Sequence, residues 1–224
     1  MKAVRRVKAV AAAKRVEFYL CRHGATRQNA EDSGTDRIRG WMDLPLSDIG
    51  RKEVKRLAFK LEDSGIKHII SSDMLRAKQT ADAIAATTGA KVSHERGLRP
   101  WDLGKFTGME SSAIAGQILS YAKNKPDAVV PQGESFETFS HRCLSTLARV
   151  IDANRDTTFC IVTHHRVERL LKGWVDAGEK PSWDINWATF NKHGERTASC
   201  ETFDVDADTL MKAAASEEKT RKAA

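Results

Sequence analysis

Short apolar runs alternate along the chain with longer segments in which apolar residues recur at helical spacing. Five of the short runs predict strands, and the TFCIVT run that ends at Thr163 is of the kind found at the centre of a parallel sheet. These strands are expected at residues 16–21, 66–71, 91–94, 158–163 and 199–205. A helix is expected between an N-cap at Ser47 and a stop at Gly65. Further helices are expected over residues 77–88, 111–123, 136–151 and 167–175.

This alternation predicts a single α/β domain in which helices cover both faces of a mostly parallel sheet. The domain is expected to span residues 16–205. A basic N-terminal arm at residues 1–15 precedes it. An Ala/Lys-rich C-terminal tail at residues 206–224, expected to be a loose helix or disordered, follows it. In such sheets ligands bind beyond the carboxyl ends of the strands, so the residues that follow each strand are the first candidates for a site.

The net charge of +7 arises largely from the ends of the chain. The N-terminal arm contains six Lys or Arg residues and no acidic residue. A solvated terminus is the simpler interpretation, and nucleic-acid binding is not expected because the arm has no aromatic residues patterned for base stacking. No apolar stretch approaches the length of a membrane span, so integral membrane association is not expected either.

The four cysteines do not form a recognisable ligand pattern. Cys21, Cys143, Cys160 and Cys200 show no C-x-x-C spacing and have no paired histidines nearby. They indicate neither a zinc site nor a disulfide framework. A reducing, cytoplasmic setting is the simplest expectation.

Polar clusters follow three of the predicted strands. Arg22-His23-Gly24 comes directly after the first strand, Arg76 follows the second near the start of a helix, and His164 follows the fourth. Because parallel strands end at the same edge of a sheet, these clusters are expected to converge. Gly24 is expected to let the backbone turn close to a ligand.

Two arginines and two histidines at one site suit phosphoryl transfer. A transferring phosphoryl group spreads negative charge over its oxygens, and a guanidinium group can bind two of them at once. The surrounding cations are expected to lower the pKa of His23, which leaves a nitrogen lone pair free to attack phosphorus. No carboxylate cluster for Mg²⁺, Walker sequence or zinc-ligand spacing accompanies these residues, so no metal and no cofactor are expected.

Several motifs in a fixed order carry a resemblance to a known family. They include YLCRHGATRQN, SSDMLRAKQTA, and VTHHRV, in which His165 stands where Gly is usual. GWMDLPL followed by Gly50, and PQGES before a helix, also match. Over about Val16–Val205 the sequence resembles the histidine phosphatase superfamily, whose phosphoglycerate mutase-like members fold as a three-layer α/β/α sandwich.

The resemblance implies roles for particular residues. It makes His23 the phosphorylated residue. It also implies a phosphate pocket formed by Arg22, Arg76 and His164. Asn29 and Glu134 match peripheral positions that are expected to line or brace the site and to contact substrate.

Two features depart from the family pattern. Pro100 stands where the family carries a Glu as proton donor, and Pro cannot transfer a proton. Asp102 is the nearest carboxyl group, and a loop shift is expected to present it to the leaving oxygen; a purely structural role is the alternative. The second departure is an apparent insertion between Asn29 and Trp41. Leaving-group specificity is expected to depend on residues 31–39, 111–128 and 183–187.

Together these features predict a metal-independent phosphatase that acts on a small phosphorylated substrate through a phosphohistidine on His23. Asp102 would act first as acid and then as base. A phosphoglycerate mutase shares the pocket, but the short stretch from Gly108 to Pro131 favours a phosphatase. A phosphate-binding protein weakened by the loss of its acid is a further alternative, which Pro100 supports. The sequence specifies neither the natural substrate nor the oligomeric state.

Overall fold

The computed structural model describes residues 15–29, 33–182, 184–192 and 196–223. Within these ranges the strands are β1 (Arg15–Arg22), β2 (His68–Ser72), β3 (Lys91–Glu95), β4 (Phe159–Thr163) and β5 (Cys200–Asp206). The helices are α1 (Asp48–Lys60), α2 (Leu75–Thr88), α3 (Ser111–Lys123), α4 (Phe136–Ala153), α5 (His165–Asp176), α6 (Trp187–Phe190) and α7 (Ala207–Ala223). Residues 1–14 of the predicted basic arm lie outside the described residues.

The strands form one sheet in the order β3-β2-β4-β1-β5. Strands β1 to β4 pair in parallel, and β5 joins β1 in antiparallel orientation at the edge. The predicted α/β fold with a mostly parallel sheet is therefore confirmed. The register places Arg22 opposite Thr163 and Ser71 opposite Val162, so β1, β2 and β4 end at the same edge.

Alternating side chains along β4 divide the core between the two faces of the sheet. Phe159 and Ile161 belong to a buried cluster with residues of α4, α5 and α7. Cys160 and Val162 belong to a second cluster with residues of α1 and α2. Successive side chains of a strand point to opposite faces, so an uninterrupted apolar run buries both. The result is a three-layer α/β/α sandwich.

Local sequence fixes several helix ends. The Ser47 hydroxyl accepts a hydrogen bond from the backbone N–H of Gly50 at 3.1 Å and so caps α1. Gly89 follows α2 in the left-handed conformation, with φ of 71°, where glycine is favoured. Helix α1 ends at Lys60, short of the predicted stop at Gly65. A glycine thus marks the helix end at Gly89, whereas Gly65 lies beyond the end of its helix.

The segment expected to be a loose helix or disordered forms α7. Ala207, Leu210 and Ala213 are buried, and α7 packs against α4. These apolar residues recur every three positions, which places them on one face of the helix. The buried core therefore continues beyond Val205.

Cys21 and Cys200 form a disulfide across the antiparallel pair β1–β5. The expectation that the cysteines form no disulfide is therefore wrong. The two residues are 179 positions apart, and their Cα atoms come within 4.1 Å only because β1 and β5 are neighbours in the sheet. The expectation of a reducing, cytoplasmic setting rested on unpaired cysteines, so it stays a prediction without that support.

Reduction of this disulfide is expected to destabilise the protein, because the link closes a long loop and restricts the unfolded chain. Dithiothreitol should lower the midpoint of thermal unfolding by about 5 to 15 °C. Cys200→Ser should show a similar decrease and no further response to dithiothreitol. An unchanged midpoint of the wild-type protein in dithiothreitol would contradict the link.

Candidate active site

The backbone of His23 is fixed just beyond β1. Its N–H donates to Thr163 O at 3.0 Å, and its carbonyl oxygen accepts from Ala198 N at 3.0 Å. The N–H of Arg22 donates to Ser199 O at 2.9 Å. His23 therefore lies between the end of β4 and the chain that enters β5, at the edge of the sheet where the sequence predicts a site.

The imidazole of His23 is oriented by its own loop. Its Nδ1 lies 2.7 Å from Gly24 O. A carbonyl oxygen can only accept a hydrogen bond, so Nδ1 carries the proton and Nε2 keeps the lone pair. Nε2 is therefore the nitrogen available for nucleophilic attack.

Gly24 is required by packing. A Cβ atom at this position would lie 2.5 Å from Val54 Cγ2 and 2.8 Å from Gly50 O, closer than van der Waals contact allows. The loop after β1 thus presses against α1. This packing explains the glycine, and the approach of the backbone to a ligand stays a prediction.

Arg76 is buried in the first turn of α2, and two backbone carbonyl groups hold its guanidinium. Nη1 donates to Met42 O at 2.8 Å and Nη2 donates to Gly40 O at 3.1 Å. Both carbonyls belong to the loop that leads into α1. Arg22 is also buried and lines the same cavity as Arg76.

His164 lies at the N-cap of α5, directly after β4. The centroid of its ring is 5.1 Å from that of His23. Its Nε2 lies 2.9 Å from Ser72 Oγ at the end of β2. The structure thus brings together the predicted pocket residues Arg22, His23, Arg76 and His164.

Burial and neighbouring positive charge keep the two imidazoles neutral. Burial, reinforced by the charges of Arg76 and Arg22, holds the pKa of His23 well below its usual value. Burial, followed by Arg76 and His23, lowers the pKa of His164 in the same way. Burial also lowers the pKa of Arg76 to about 9, with Arg39 adding to the effect. The site is therefore rich in positive charge and holds an unprotonated nitrogen nucleophile.

Two buried nitrogen atoms of the pocket, Arg76 Nε and His164 Nδ1, have no hydrogen-bond partner among the described residues. A buried polar atom without a partner costs about 1–3 kcal/mol. An oxyanion bound between Arg76 and His164 would offer acceptors at this position. The pocket is suited to an anion with several oxygens.

These residues line a cavity of about 490 Å³. Two of the three segments that were expected to set specificity border it. They contribute Asp36, Ile38, Arg39, Ser111, Ser112 and Ile118. In the third segment, residues 184–187 do not line the cavity, and Trp183 lies outside the described residues.

Asp102 lies beside the cavity without lining it. Its Oδ1 accepts a hydrogen bond from Gly104 N at 3.1 Å. Its neighbours Trp101 and Leu103 both line the cavity, and so does Pro100. Asp102 therefore stands between two residues of the cavity wall, and its carboxylate is hydrogen-bonded to the turn at Gly104.

Glu134 braces the loop that carries Asp102. Its Oε1 accepts from the Asp102 backbone N–H at 2.9 Å, and its Oε2 accepts from Arg142 Nε at 3.1 Å. Arg142 also donates to Pro100 O at 3.0 Å. The pair thus holds the cavity wall at Pro100 in place, and contact between Glu134 and substrate stays a prediction.

Asn29 is buried and also lies away from the cavity lining. Its Oδ1 accepts hydrogen bonds from the backbone N–H and the hydroxyl of Thr26, both at 2.9 Å. It therefore shapes the loop that follows His23. A direct contact with substrate stays a prediction.

Three arginines near the cavity are not singled out by the sequence motifs. Arg142 braces the wall, whereas Arg39 and Arg166 line the cavity itself. The signals that point to the last two are weak: Arg39 falls in the predicted insertion, and Arg166 lies within the VTHHRV motif, where the resemblance gives it no role. Neither position indicates from sequence alone that its side chain reaches the site.

Two classes of feature are not found in the described part of the chain. No three His, Cys, Asp or Glu side chains there are grouped so that they could hold a metal ion. In the same ranges, no helix has the length and apolar character that crossing a membrane requires.

Comparison with known proteins supports the resemblance. The profile of the Histidine phosphatase superfamily (branch 1) matches residues 18–193. Phosphoglycerate mutase-like protein 4 of Arabidopsis thaliana is 36% identical over 162 residues, which cover 69% of each chain. A mycobacterial glucosyl-3-phosphoglycerate phosphatase structure has a TM-score of 0.67 at 23% identity, covering 85% of this chain and 90% of that one. The alpha-ribazole phosphatase from Shigella flexneri has a TM-score of 0.68 at 20% identity, covering 84% and 90%.

The matched region runs from within β1 to a point beyond α6 and includes all four residues of the predicted phosphate pocket. At their low identity the two solved structures support the fold alone, which is the same as the fold described above. The profile match and the Arabidopsis relative carry the assignment further. The chain belongs to the histidine phosphatase superfamily (branch 1).

Proposed function

We propose that this protein is a metal-independent phosphomonoester hydrolase that forms a phosphohistidine on His23. The observation that carries the proposal is the buried imidazole of His23, whose Nδ1 is bound to Gly24 O so that Nε2 keeps its lone pair, in a cavity that Arg76 and Arg22 also line. Such an arrangement provides a nucleophile together with stabilisation of charge on the transferring phosphoryl group.

In the first step the lone pair of His23 Nε2 attacks phosphorus, and the bond from phosphorus to the ester oxygen breaks. The leaving oxygen takes a proton from the acid. In the second step water attacks the phosphohistidine and gives a proton to the same group, now a base. The phosphorus–nitrogen bond breaks, its electron pair returns to Nε2, and phosphate leaves. Arg22, Arg76 and His164 hold the phosphoryl oxygens in both steps.

Asp102 is the proposed acid and base. It stands two residues after Pro100, between the lining residues Trp101 and Leu103. Because Asp102 does not line the cavity and its Oδ1 is bound to the Gly104 N–H, its carboxylate must move to reach a leaving oxygen. Asp36 is the rival because its residue lines the cavity directly, but its carboxylate is paired with Arg39 at 2.7 Å.

A phosphoryl transfer back to substrate is the second candidate, favoured by the name of the Arabidopsis relative. Hydrolysis and mutase activity share the first step and differ in the acceptor that follows. Phosphoglycerate labelled in its phosphoryl group distinguishes them. Label that appears as inorganic phosphate supports the hydrolase, whereas label that moves to another hydroxyl of phosphoglycerate supports the mutase.

His23→Ala is expected to abolish turnover of an aryl phosphate in EDTA by at least about a thousandfold, because it removes the nucleophile. Denaturing the wild-type protein at alkaline pH during turnover of labelled substrate should trap a phosphoenzyme that is stable to base and acid-labile. Mass spectrometry should locate the phosphate on His23. His94→Gln, an exposed histidine on β3, serves as the control and should retain full turnover. Turnover that survives in His23→Ala would rule out the proposal, whereas phosphate binding without any turnover would favour a binding protein.

Asp102→Asn is expected to slow hydrolysis of alkyl phosphates by about a hundredfold or more, because general acid catalysis contributes on this scale. An aryl phosphate whose leaving group is stable as an anion should be affected much less in the phosphorylation step. Initial rates of both ester types, measured with Asp102→Asn, Asp36→Asn and the exposed control Asp82→Asn, make the comparison. Full alkyl phosphatase activity in Asp102→Asn, with loss in Asp36→Asn, would transfer the role to Asp36.

The neutral histidines also predict how stability depends on pH. Both imidazole rings are neutral in the folded protein, whereas in the unfolded chain each ring takes up a second proton near pH 6.5. Below that pH the unfolded state binds more protons, so the free energy of unfolding should fall as the pH falls. Each histidine should contribute a slope of up to about 1.4 kcal/mol per pH unit. Urea unfolding between pH 7.5 and 5 should show a shallower slope of the free energy of unfolding against pH for His23→Asn than for the wild-type protein; equal slopes would contradict a neutral His23.

A further inference from the structure

Two cations of the cavity take no part in the phosphate pocket described above. Arg39 lies in the predicted insertion and lines the cavity together with His23 and Arg76. Its recorded hydrogen bonds all come from one nitrogen: Nη1 donates to Asp36 Oδ1 at 2.7 Å, Gln28 O at 3.0 Å and Arg37 O at 2.8 Å. Among the described residues, Nη2 and Nε have no such bond. The guanidinium group is thus held through Nη1, and its Nη2 and Nε groups can still donate hydrogen bonds.

Arg166 is the second cation. It lies in the first turn of α5 and lines the same cavity. Its guanidinium stands over the ring of Phe190, with 5.2 Å between the guanidinium carbon and the ring centroid. The Arg166 guanidinium donates no hydrogen bond to any described residue. Burial lowers the pKa of Arg166 to about 10, and the charge of Asp36 opposes this shift.

The polar groups on this side of the cavity fix Arg39 rather than neutralise the site. Ser111 Oγ donates to Asp36 Oδ2 at 2.7 Å, and the Ser111 N–H donates to the Asp36 carbonyl oxygen at 2.9 Å. Asp36 is held at the start of α3 and in turn holds Arg39. The only carboxylate among the described lining residues is therefore already committed to an ion pair.

The positive charge of the described cavity lining exceeds the negative charge of one phosphoryl group. The described lining holds four guanidinium groups (Arg22, Arg39, Arg76 and Arg166) and one carboxylate, which together carry a charge of +3, and the rings of His23 and His164 add none. A phosphomonoester brings a charge of about −1.5 to −2 at neutral pH. The described lining groups thus carry about one positive charge more than such a group brings.

We infer that the cavity selects phosphomonoesters that carry a second oxyanion, which Arg39 and Arg166 bind while the phosphoryl group lies between Arg22 and Arg76. The inference rests on the proposed function and names the substrate class of the same site. The second group is a phosphate or a carboxylate, because both accept paired hydrogen bonds from guanidinium groups. Arg39 and Arg166 are then residues that determine specificity.

A matched set of substrates tests this inference. Three phosphate esters of a three-carbon chain end in a hydroxyl group, a carboxylate or a second phosphate. The values of kcat/KM for the two charged esters should exceed the value for the hydroxyl ester by about tenfold to a hundredfold. The ratio of the two charged esters identifies the preferred oxyanion. The preference should decrease as salt is added.

Arg39→Gln and Arg166→Met should each reduce kcat/KM for the charged esters by about tenfold or more and leave the hydroxyl ester within a few-fold. Methionine retains an apolar stem against Phe190. Arg39→Lys and Arg166→Lys should restore part of the preference, because they retain the charge. Arg56→Gln, an exposed arginine on α1, removes the same charge far from the motifs of the site and should change nothing.

Binding by the His23→Ala protein separates failure of this inference from failure of the proposed function. Isothermal titration should show tighter binding of the three-carbon bisphosphate than of the hydroxyl monophosphate, whether or not the wild-type protein turns either over. Equal affinities, or a charge preference that persists in the double variant Arg39→Gln/Arg166→Met, would overturn the inference. A loss of all three ester activities in the single variants, with unchanged thermal unfolding, would also overturn it, because the two residues would then serve the phosphoryl group itself.

Discussion

The site depends on the buried guanidinium group of Arg76, to which no carboxylate of the described residues is hydrogen-bonded. A buried charge normally demands a close counter-ion, and here the carbonyl oxygens of Gly40 and Met42 supply only partial compensation. Burial, with the charge of Arg39 adding to it, lowers the pKa of Arg76 to about 9. Burial and the charges of Arg76 and Arg22 likewise keep the His23 ring neutral. An incoming oxyanion supplies the missing counter-charge. Burial of the guanidinium group, which costs folding free energy, therefore also creates affinity for a phosphoryl group.

The rest of the fold holds these groups at fixed positions. The N–H of His23 is bound to Thr163 O of β4, and the ring of His164 is bound to Ser72 at the end of β2. Because β2, β4 and β1 are adjacent and end together, their pairing sets the separation of the side chains that follow them. The close contact of Gly24 with α1 fixes the loop further. Position is thus set by backbone pairing and packing, which suits a reaction that depends on orientation.

Sequence reasoning succeeded where one strong signal decided the structure and failed where distant parts of the chain had to meet. The apolar run ending at Thr163 and the Ser47 cap are local signals, and both gave the correct elements. The disulfide between Cys21 and Cys200 depends on which strands are neighbours. The sequence did not clearly predict helix α7, because its buried positions are mostly Ala and stand among Lys and Glu residues. The cavity-facing role of Arg166 likewise depends on tertiary packing.

Pro100 replaces the glutamate that is usual at this position, and this replacement changes what the site requires of a substrate. Asp102 does not line the cavity and its Oδ1 is bound to the Gly104 N–H, so its use as a donor requires local rearrangement of that loop. Rearrangement costs free energy, which contacts to a remote part of the substrate can offset. A second oxyanion at Arg39 and Arg166 would provide such contacts. On this argument, the unusual donor and the excess positive charge are linked: substrates that reach both arginines gain the binding energy needed to bring Asp102 into use, and simple phosphomonoesters do not.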